Sequence, residues 1–590
     1  MDRILDRKHF RALFADRAIV VADLGPGGPR DLAARVNEAA GRGDAVLRTR
    51  AEYDALFDAV ARDVAHAPAD AAAVAMADDE GRPTPAGTMV HAYLGASIGK
   101  RELFGWPMCQ VEISGWPASQ LRPEEPVIAD GSRLSLSRAD PQDVRRVPPL
   151  VDGRVLFTST TFSLMNSGQM TKYSPKRSWK VDLDPGDDDD RIVGMARLNL
   201  KSMYNDPSQM REALAWRLFA AAGVPSPRHT YARLVINGAY YGLHSLIEQI
   251  DKRFLGDRFG ENRRGNLHKA YCGSLGCATL EHRRGTDGDD SGRQYHTSGH
   301  PGDQTYRLKT NENDAAVASY DDLATFIRVV NGVGLPGGDG RFNTDAFRAE
   351  VERVFDAQAF LRWAGVNLLL GSWDNYFASP ANYYLYNGGH AGRARDFATD
   401  PYFTFLPWDY DNCLGIDYFG TKWQYADLLD WAAITRQYWH REGHRNHTSR
   451  VPLVHNLLAN PGFAQYYLDH LDYLLATHFN PSAICTQMGT PDGDGLWRRV
   501  SQAAFLESDT PYGAAFTGRQ FSNDEVYRAG YAQNELRHGN ALIPGIYHYV
   551  KMRCDSATAQ LQQLRRRYPA GASGVTFPTP GSIARSGETG

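Results

Sequence analysis

Alternating apolar and polar positions predict a β-rich region in the first half of the chain. Residues 155–164 and 178–183 are short runs of β-forming residues broken by turn formers, which is typical of an antiparallel sheet. Residues 231–236 and 239–248 are apolar runs joined by Asn237-Gly238, and both joining residues tolerate the positive φ of a tight turn. The pattern therefore predicts that the last two runs pair as a hairpin.

A helix is predicted between these β-rich runs. Asp206 has the residue type of an N-cap, Pro207 suits the first helical position, and Gln209 completes a capping box. The apolar pattern continues to Ala222 and stops at Gly223, a residue that commonly ends helices. The predicted helix therefore begins directly after Asp206 and ends at Ala222.

Helical spacing of apolar residues returns in the second half of the chain. Residues 344–355 predict a helix behind a threonine cap, and residues 360–370 predict a second, more apolar helix that ends at Gly371. Two short apolar runs at 383–386 and 403–406 then predict strands. This half of the chain therefore combines helices with a small amount of sheet.

These patterns divide the chain into four regions. Residues 1–105 predict an α-rich region of unknown role, and residues 106–250 predict a β-rich lobe with one long helix. Residues 251–568 predict a mainly helical lobe with a helical extension, interrupted at 258–313 by a Gly-, Arg- and Asp-rich loop with one short strand. The Gly-, Ser-, Thr- and Pro-rich residues 569–590 predict a disordered tail.

The composition excludes several classes of function. With 590 residues, 42% hydrophobic and 23% charged, the chain has the content of an ordinary folded protein. A net charge of -4 argues against a nucleic-acid partner. Because the chain has no secretory signal and no apolar run long enough for a membrane helix, we expect a cytoplasmic protein without membrane association, with non-classical export left open. Its six scattered cysteines predict a reducing compartment and no disulfide framework.

Candidate chemistry lies in the loops beside the predicted strands 383–386 and 403–406. The candidates are Asp374, Asn382, Asp409 and Asp411. Oxygen ligands of this kind suit Mg²⁺ or Mn²⁺ bound to phosphates, and a separate aspartate can accept a hydroxyl proton. Taken singly, each residue is equally compatible with a turn cap or a solvated loop. Their order along the chain favours a metal-phosphate site.

The β-rich lobe has residues that can complete such a site. Lys176 or Lys180 can reach phosphates from the predicted strand, where alternation places both on one face. Glu212, on the predicted helix, can hold that lysine, as a helix glutamate does in kinases. The residues themselves leave the choice of lysine open.

Six motifs within residues 155–415, approximately, are characteristic in combination: PKRSWKVDLD, RLNLKSMYNDPSQMREALAWRLFAAAGVPSPR, YARLVINGAYYGLHSLIEQID, GNLHK, WDNYFASPANYYLYN and FTFLPWDYDNCLG. On these motifs the chain resembles the CotH-type kinases, atypical protein kinases named for a bacterial spore coat protein. The resemblance implies an α+β, atypical protein-kinase-like two-lobed fold, here with an N-terminal extra region and a C-terminal helical extension. It also implies ATP, Mg²⁺ or Mn²⁺, and phosphate transfer to Ser or Thr of a protein substrate, while the oligomeric state stays open.

The resemblance also implies roles for individual residues. Lys176 looks like the lysine that contacts the nucleotide phosphates, with Lys180 as the alternative. The other implied roles are Glu212 as the helix partner of that lysine, Glu248 at the end of the strand that leads into the hinge, Asp374 as the catalytic aspartate, and Asn382 and Asp409 as metal ligands, with Asp411 as the alternative to Asp409.

One departure from the family concerns the turn before the lysine strand. Family members commonly have a Gly-Asn-Ser-like turn there, whereas this chain has Asn166 and Ser167 followed by Gly168, with no glycine ahead of the asparagine. Asn166 and Ser167 are the candidate nucleotide-binding residues of this turn. Two alternatives to a protein kinase follow, namely an enzyme of this fold that transfers AMP or another group, and a binding protein that has lost catalysis.

Overall fold

The computed structural model describes most of residues 103–577. Residues 1–102 and 578–590 lie outside the described part, as do internal segments, the longest being 118–125, 140–149, 183–194, 297–304, 391–396, 431–450 and 508–528. Almost all of the predicted N-terminal α-rich region therefore falls outside the described residues. The described residues form a mixed α+β protein.

The chain divides into two compact units. The first combines the described residues of Met1–Ser202, His229–Gln249 and Arg499–Gln520, and the second those of Met203–Arg228, Ile250–Arg498 and Phe521–Gly590. The sequence assigned residues 203–228 to the β-rich lobe and residues 499–520 to the helical lobe, whereas the structure groups each segment with the other unit. Packing contacts, rather than chain order, decide this division.

The first unit is built on an eight-stranded sheet. Its strands are β1 (Met108–Ser114), β2 (Arg133–Ala139), β3 (Leu150–Ser159), β4 (Ser163–Ser167), β5 (Ser178–Asp182), β6 (Arg197–Lys201), β7 (His229–Ile236) and β8 (Ala239–Ile247). Their order across the sheet is β3-β2-β1-β7-β8-β6-β5-β4. All neighbouring pairs are antiparallel except β1 with β7. The single strand predicted at 155–164 is thus two strands, β3 and β4.

The core of the first unit lies on one face of this sheet. Alternation along the strands places the side chains of Val111, Leu134, Trp179, Leu200 and Leu234 in a single buried cluster. Each large aliphatic or aromatic side chain removed from water in this way contributes about 1.5–3 kcal/mol of stability. The period-two pattern therefore fixes which face of each strand turns inward.

The predicted hairpin between β7 and β8 is confirmed. Asn237 and Gly238 have φ values of 50° and 78°, the left-handed conformation that a two-residue turn with this twist requires. The Asn237 side chain also accepts a hydrogen bond from the Trp116 N–H at 2.9 Å and donates to the Trp116 carbonyl at 2.7 Å. The turn is therefore tied to the chain that follows β1.

Helices and a smaller sheet make up most of the rest of the described chain. In chain order the elements are α1 (Arg211–Ala221), α2 (Lys252–Phe259), β9 (Asn266–Ala270), β10 (Cys272–Gly273), β11 (Gly276–Cys277), β12 (Tyr306–Leu308), α3 (Asp321–Val330), α4 (Asp345–Val354), α5 (Ala357–Leu370), β13 (Tyr383–Asn387), β14 (Phe403–Pro407), α6 (Pro452–Leu458), α7 (Pro461–Thr477), α8 (Pro481–Met488), α9 (Leu496–Leu506), β15 (Leu536–His538), β16 (Ala541–Ile543) and α10 (Ile546–Leu564). Strands β12, β9, β13 and β14 form an antiparallel sheet in that order. None of the helices that the structure describes is long and apolar enough to span a membrane.

The prediction for the start of α1 is wrong. Gln209 has a φ of 56°, so the segment from Asp206 to Met210 turns before the helix begins at Arg211. The Asp206 carboxylate still satisfies helix-end donors, because it accepts from the Arg211 N–H at 2.8 Å and forms a buried ion pair with the Arg211 guanidinium. The predicted end is confirmed, since Ala222 is the C-cap and Gly223 has a φ of 66°.

The paired helices α4 and α5 and the strands beside them are confirmed. The Thr344 hydroxyl accepts from the Phe347 N–H at 3.1 Å and caps α4, while Gly371, with a φ of 59°, ends α5. Trp363 of α5 packs on Phe405 of β14 with ring centroids 4.3 Å apart. This aromatic contact helps to seat α5 against the smaller sheet.

Two further sequence predictions need correction. The loop predicted at 258–313 does contain the short strand β9, but it also contains a disulfide that joins Cys272 to Cys277 across β10 and β11, so the expectation of reduced cysteines is wrong for this pair. The tail was predicted to be disordered from residue 569. Instead, the Gly571 and Ser573 N–H groups each donate to the Asp469 carboxylate at 3.0 Å, and residues 578–590 lie outside the described part.

Candidate functional site

The smaller sheet brings two of the predicted metal ligands to one edge. Asn382 directly precedes β13 and Asp409 follows shortly after β14, and these strands pair antiparallel from Tyr383 opposite Pro407. The Trp408 N–H donates to the Asn382 carbonyl at 3.1 Å, which extends the pairing by one step beyond the strands. Asn382 and Asp409 therefore leave the sheet at the same end.

The backbone at both residues adopts an unfavourable conformation. Asn382 and Asp409 have φ values of 52° and 65°, in the left-handed region. Asn and Asp tolerate this region better than other non-glycine residues, at a cost of about 1–2 kcal/mol. Such strain persists where the surrounding structure enforces it, and it is concentrated at functional sites. Both side chains are half-buried, so they remain within reach of a ligand.

Asp374 joins this edge through Asn382. The Asn382 amide nitrogen donates to the Asp374 carbonyl at 2.8 Å, and this contact defines which end of the amide is the oxygen. The Asp374 carboxylate accepts from the Asn412 side chain at 3.1 Å. Asp374 is half-buried whereas Asn412 is buried, so this hydrogen bond joins a partly exposed carboxylate to a buried amide.

Asn412 connects Asp374 to a chain of hydrogen bonds that sequence reasoning missed. Asn205 donates to the Asn412 side-chain oxygen at 2.7 Å, and the Tyr418 hydroxyl donates to the Asn205 side-chain oxygen at 2.5 Å. Burial, and after it the charge of Asp411, raises the pKa of Tyr418, so this hydroxyl keeps its proton and acts as a donor. Both asparagines fall within motifs of the family resemblance, but nothing in their local pattern links them.

Glu212 of α1 lies beside the loop that follows β14. Its carboxylate accepts from the Tyr410 N–H at 3.4 Å, at the residue between the predicted ligands Asp409 and Asp411. The buried Tyr410 hydroxyl donates in turn to the Asn367 side chain at 3.1 Å. The role of Glu212 as the partner of a lysine stays a prediction. In the structure its carboxylate helps to hold the loop that carries both aspartates.

The donors at this edge fit a hard divalent cation. Asn382, Asp409 and Asp411 supply amide and carboxylate oxygens, the ligand type that Mg²⁺ and Mn²⁺ prefer. Within the described ranges, no group of three or more His, Cys, Asp or Glu side chains is close enough together to hold a metal ion. A cation here would therefore be held by an incomplete protein shell. Such a shell suits magnesium that is shared with substrate phosphates and water.

Lys176 lies in the first unit, in a buried ion pair. Its Nζ atom is 2.7 Å from Oε1 of Glu507, and the two side chains are 8% and 0% exposed. The argument that Lys176 shares a strand face with Lys180 is wrong, because β5 begins only at Ser178. Lys180 lies within β5 and is half-buried. The lysine that the family resemblance favours is thus the buried one.

Two neighbours complete the surroundings of this ion pair. Glu507 also accepts from the Leu243 N–H of β8 at 2.7 Å. Burial, together with the positive charge of Lys176, lowers the pKa of His244 to about 3, so His244 is neutral at physiological pH. Sequence reasoning missed Glu507 because it lies 264 positions from Leu243 and follows a helix with no recognisable motif.

The remaining candidates of the first unit lie on or beside its sheet. Asn166 and Ser167 end β4, and Asn166 is 6% exposed. Within the described part of the chain, neither amide atom of Asn166 has a hydrogen-bond partner. A buried amide of this kind is costly and leaves a donor and an acceptor that a ligand can satisfy. Glu248 is fully buried directly after β8, two residues before the chain enters the second unit at Ile250.

The described structure is thus a mixed α+β protein. It has carboxylate and amide groups at one edge of the smaller sheet and a buried lysine in the first unit. The sequence model of the family described as CotH kinase protein matches residues 165–488, more than half of the chain. The chain belongs to this family. The match includes every predicted site residue and ends before Glu507.

Curated relatives share this region. The chain is 27% identical over 231 residues to inner spore coat protein H of Bacillus subtilis, a match that covers 39% of this chain and 53% of the relative. It is 24% identical over 263 residues to invasin CotH2 of Rhizopus delemar, covering 44% of this chain and 38% of the relative. A second Rhizopus delemar protein, invasin CotH3, is 22% identical over 263 residues. The matches thus span about half or less of these relatives.

Proposed function

We propose that this protein is an ATP-dependent kinase of two-lobed, kinase-like fold that transfers the γ-phosphoryl group to Ser or Thr hydroxyls of a protein substrate, with Mg²⁺ or Mn²⁺. One observation carries the proposal most directly. Asp374 and Asn382, from the loop between α5 and β13, meet Asp409, from the loop after β14, at one edge of the smaller sheet, linked by the Asn382 hydrogen bonds. Membership of the CotH kinase protein family supports the same reaction.

Asp374 is the residue proposed to handle the proton. In the reaction, the substrate hydroxyl oxygen forms a bond to the γ-phosphorus while the bond from that phosphorus to the β–γ bridging oxygen breaks, and ADP leaves with that oxygen. The hydroxyl proton passes to the Asp374 carboxylate and then to water. Asn412 holds this carboxylate at 3.1 Å, so the acceptor oxygen is oriented before the substrate binds.

Asn382 and Asp409, with Asp411 as the alternative to Asp409, would hold the metal. When bound, a divalent cation neutralises phosphate charge and orients the γ-phosphoryl group. The left-handed backbone of Asn382 and Asp409 aims both side chains from fixed loops, so little reorganisation is needed on binding. In the first unit, Lys176 would donate to the phosphates, and Asn166 and Ser167 would contact the nucleotide.

A labelling experiment tests the proposal. The purified protein is incubated with γ-labelled or α-labelled ATP and Mg²⁺ or Mn²⁺, and intact mass is measured for the wild type and for Asp374→Asn and Asp409→Asn. We expect γ label on protein, reduced about 100-fold or more by Asp374→Asn, because proton acceptance and positioning are lost. Nucleotide-induced thermal shift should survive Asp374→Asn.

Other outcomes separate the alternatives. Transfer of α label would establish AMP transfer and overturn the kinase assignment. Absence of label together with absence of a nucleotide-induced thermal shift would indicate a non-catalytic binding protein. Full activity in folded Asp374→Asn would remove Asp374 from its proposed role.

A further inference from the structure

The proposed phosphate lysine, Lys176, forms a buried ion pair with Glu507. Nζ and Oε1 are 2.7 Å apart, and the carboxylate side chain is fully buried. Burial of two charges is expensive unless both are paired and hydrogen-bonded, so an interaction of this kind needs precise support on both sides. On the Glu507 side, the Oε1 atom has such support within the first unit.

The backbone of β8 supports Glu507. The Leu243 N–H donates to Glu507 Oε1 at 2.7 Å. One helical turn earlier, the Tyr240 hydroxyl donates to the Ala503 carbonyl at 3.0 Å, which ties α9 to the same strand. The carboxylate is therefore placed by the sheet and not only by the end of a helix.

A glycine in β8 makes room for the pair. Gly242 has a φ of 143°, and a Cβ atom built there would lie 3.3 Å from Glu507 Oε1 and 3.4 Å from Lys176 Cε. The β7–β8 register shifts beside it, as in a β-bulge, and bulges re-aim groups next to functional sites. The strand is thus locally shaped around the two charged side chains.

We propose that Glu507 is a carboxylate that positions Lys176 for the nucleotide phosphates, in addition to the Glu212 that the family resemblance implies. This inference rests on the proposed function. An ammonium group has three donors, so Lys176 can keep its bond to Glu507 while it donates to phosphate oxygens. Glu507 lies outside the residues that match the family, so the positioning group is supplied by a segment of this chain beyond the shared region. Glu507 acts through Lys176 and is a positioning residue.

A double-mutant cycle tests this role. The variants are Glu507→Gln, which keeps size and removes charge, Lys176→Met, and the two together. Glu352→Gln is the matched control, because Glu352 forms an exposed pair with Arg348 on α4. The measurements are kcat and KM for ATP, the thermal shift that ATP and Mg²⁺ induce, and the melting temperature without nucleotide.

We expect Glu507→Gln to raise the KM for ATP about tenfold or more and to shrink the ATP-induced thermal shift, because the lysine loses its charged partner. In the Lys176→Met background the same change should have no further effect on ATP binding. The double variant should melt higher than Glu507→Gln alone, since a buried charge is no longer left unpaired. Glu352→Gln should match the wild type.

Two results would overturn the inference while leaving the proposed function intact. One is a folded Glu507→Gln protein with wild-type KM and thermal shift. The other is an equal loss of ATP binding from Glu507→Gln with and without Lys176, which would mean that Glu507 does not act through the lysine. A wild-type protein that neither binds nor transfers from ATP would overturn the proposed function and this inference together.

Discussion

The Asn412 side-chain nitrogen lies 3.1 Å from Oδ2 of Asp374, and hydrogen bonds continue from Asn412 to Asn205 and from Asn205 to Tyr418. The proposed catalytic carboxylate thus has the neutral Asn412 amide as one of its partners. A neutral partner restricts the rotation of the carboxylate without competing strongly for a proton. A mutation of Asn412 can therefore change the orientation of the Asp374 carboxylate without removing a charged group.

Replacing Asn412 by alanine should slow the chemical step. Without the amide, the Asp374 carboxylate can rotate away from the substrate hydroxyl, so we expect kcat to fall about tenfold while the KM for ATP changes less than twofold. Steady-state kinetics at saturating protein substrate measures this split. A large rise in the KM for ATP, with kcat preserved, would show that Asn412 serves nucleotide binding instead.

Replacing Asn166 by leucine should have opposite effects on stability and binding. In the structure, the buried amide lacks hydrogen-bond partners among the described residues, so an apolar side chain of similar size should stabilise the nucleotide-free protein by about 1 kcal/mol. The same change removes the donor and the acceptor proposed to meet the nucleotide. Chemical denaturation and the ATP-induced thermal shift measure the two effects. A destabilised variant with normal ATP binding would contradict this expectation.

The stability of the second unit should fall in acid because of His470. Burial, and after it the charges of Arg362 and His478, lowers the pKa of His470 from 6.5 to about 3. Below pH 6.5 the unfolded chain binds a proton at His470, whereas the folded protein does not bind it until the pH approaches 3. The contribution of neutral His470 to the free energy of unfolding is therefore present above pH 6.5 and is lost as the pH falls towards 3.

The variant His470→Phe isolates this effect. Its free energy of unfolding should depend on pH less steeply than that of the wild type, by about 1.4 kcal/mol per pH unit between roughly pH 4 and 6. Urea denaturation at several pH values gives the slope. Replacing the exposed His455 by Gln is the matched control for the loss of one imidazole from the same unit. Equal slopes for wild type and His470→Phe would rule out His470 as the source.

Reduction of the disulfide between Cys272 and Cys277 should loosen the loop that leads to Asn382. The Ala278 N–H, directly after the disulfide, donates to the Pro380 carbonyl at 3.1 Å. A disulfide that closes so short a loop stabilises by about 2 kcal/mol. We expect reductant to lower the melting temperature of the wild type and to leave a Cys272→Ser/Cys277→Ser variant unaffected. An equal response in both proteins would place the sensitivity elsewhere.

The sequence by itself determined the elements whose causes lie within a few residues. The turn at Asn237-Gly238, the Thr344 cap and the Gly371 helix end were all predicted, because each depends on the φ preference or the hydrogen-bonding side chain of one residue. The sequence also predicted candidate ligands in the loops that precede β13 and follow β14, where Asp374, Asn382 and Asp409 lie.

Only the tertiary structure decided which groups meet. The start of α1 moved to Arg211 because Asp206 bonds to the Arg211 side chain as well as to its N–H. Glu507 reached Lys176, and Asn412 reached Asp374, through packing of elements far apart in the chain. Partners of this kind are selected by buried charge and hydrogen-bond geometry in three dimensions, and these leave no periodic pattern in the sequence.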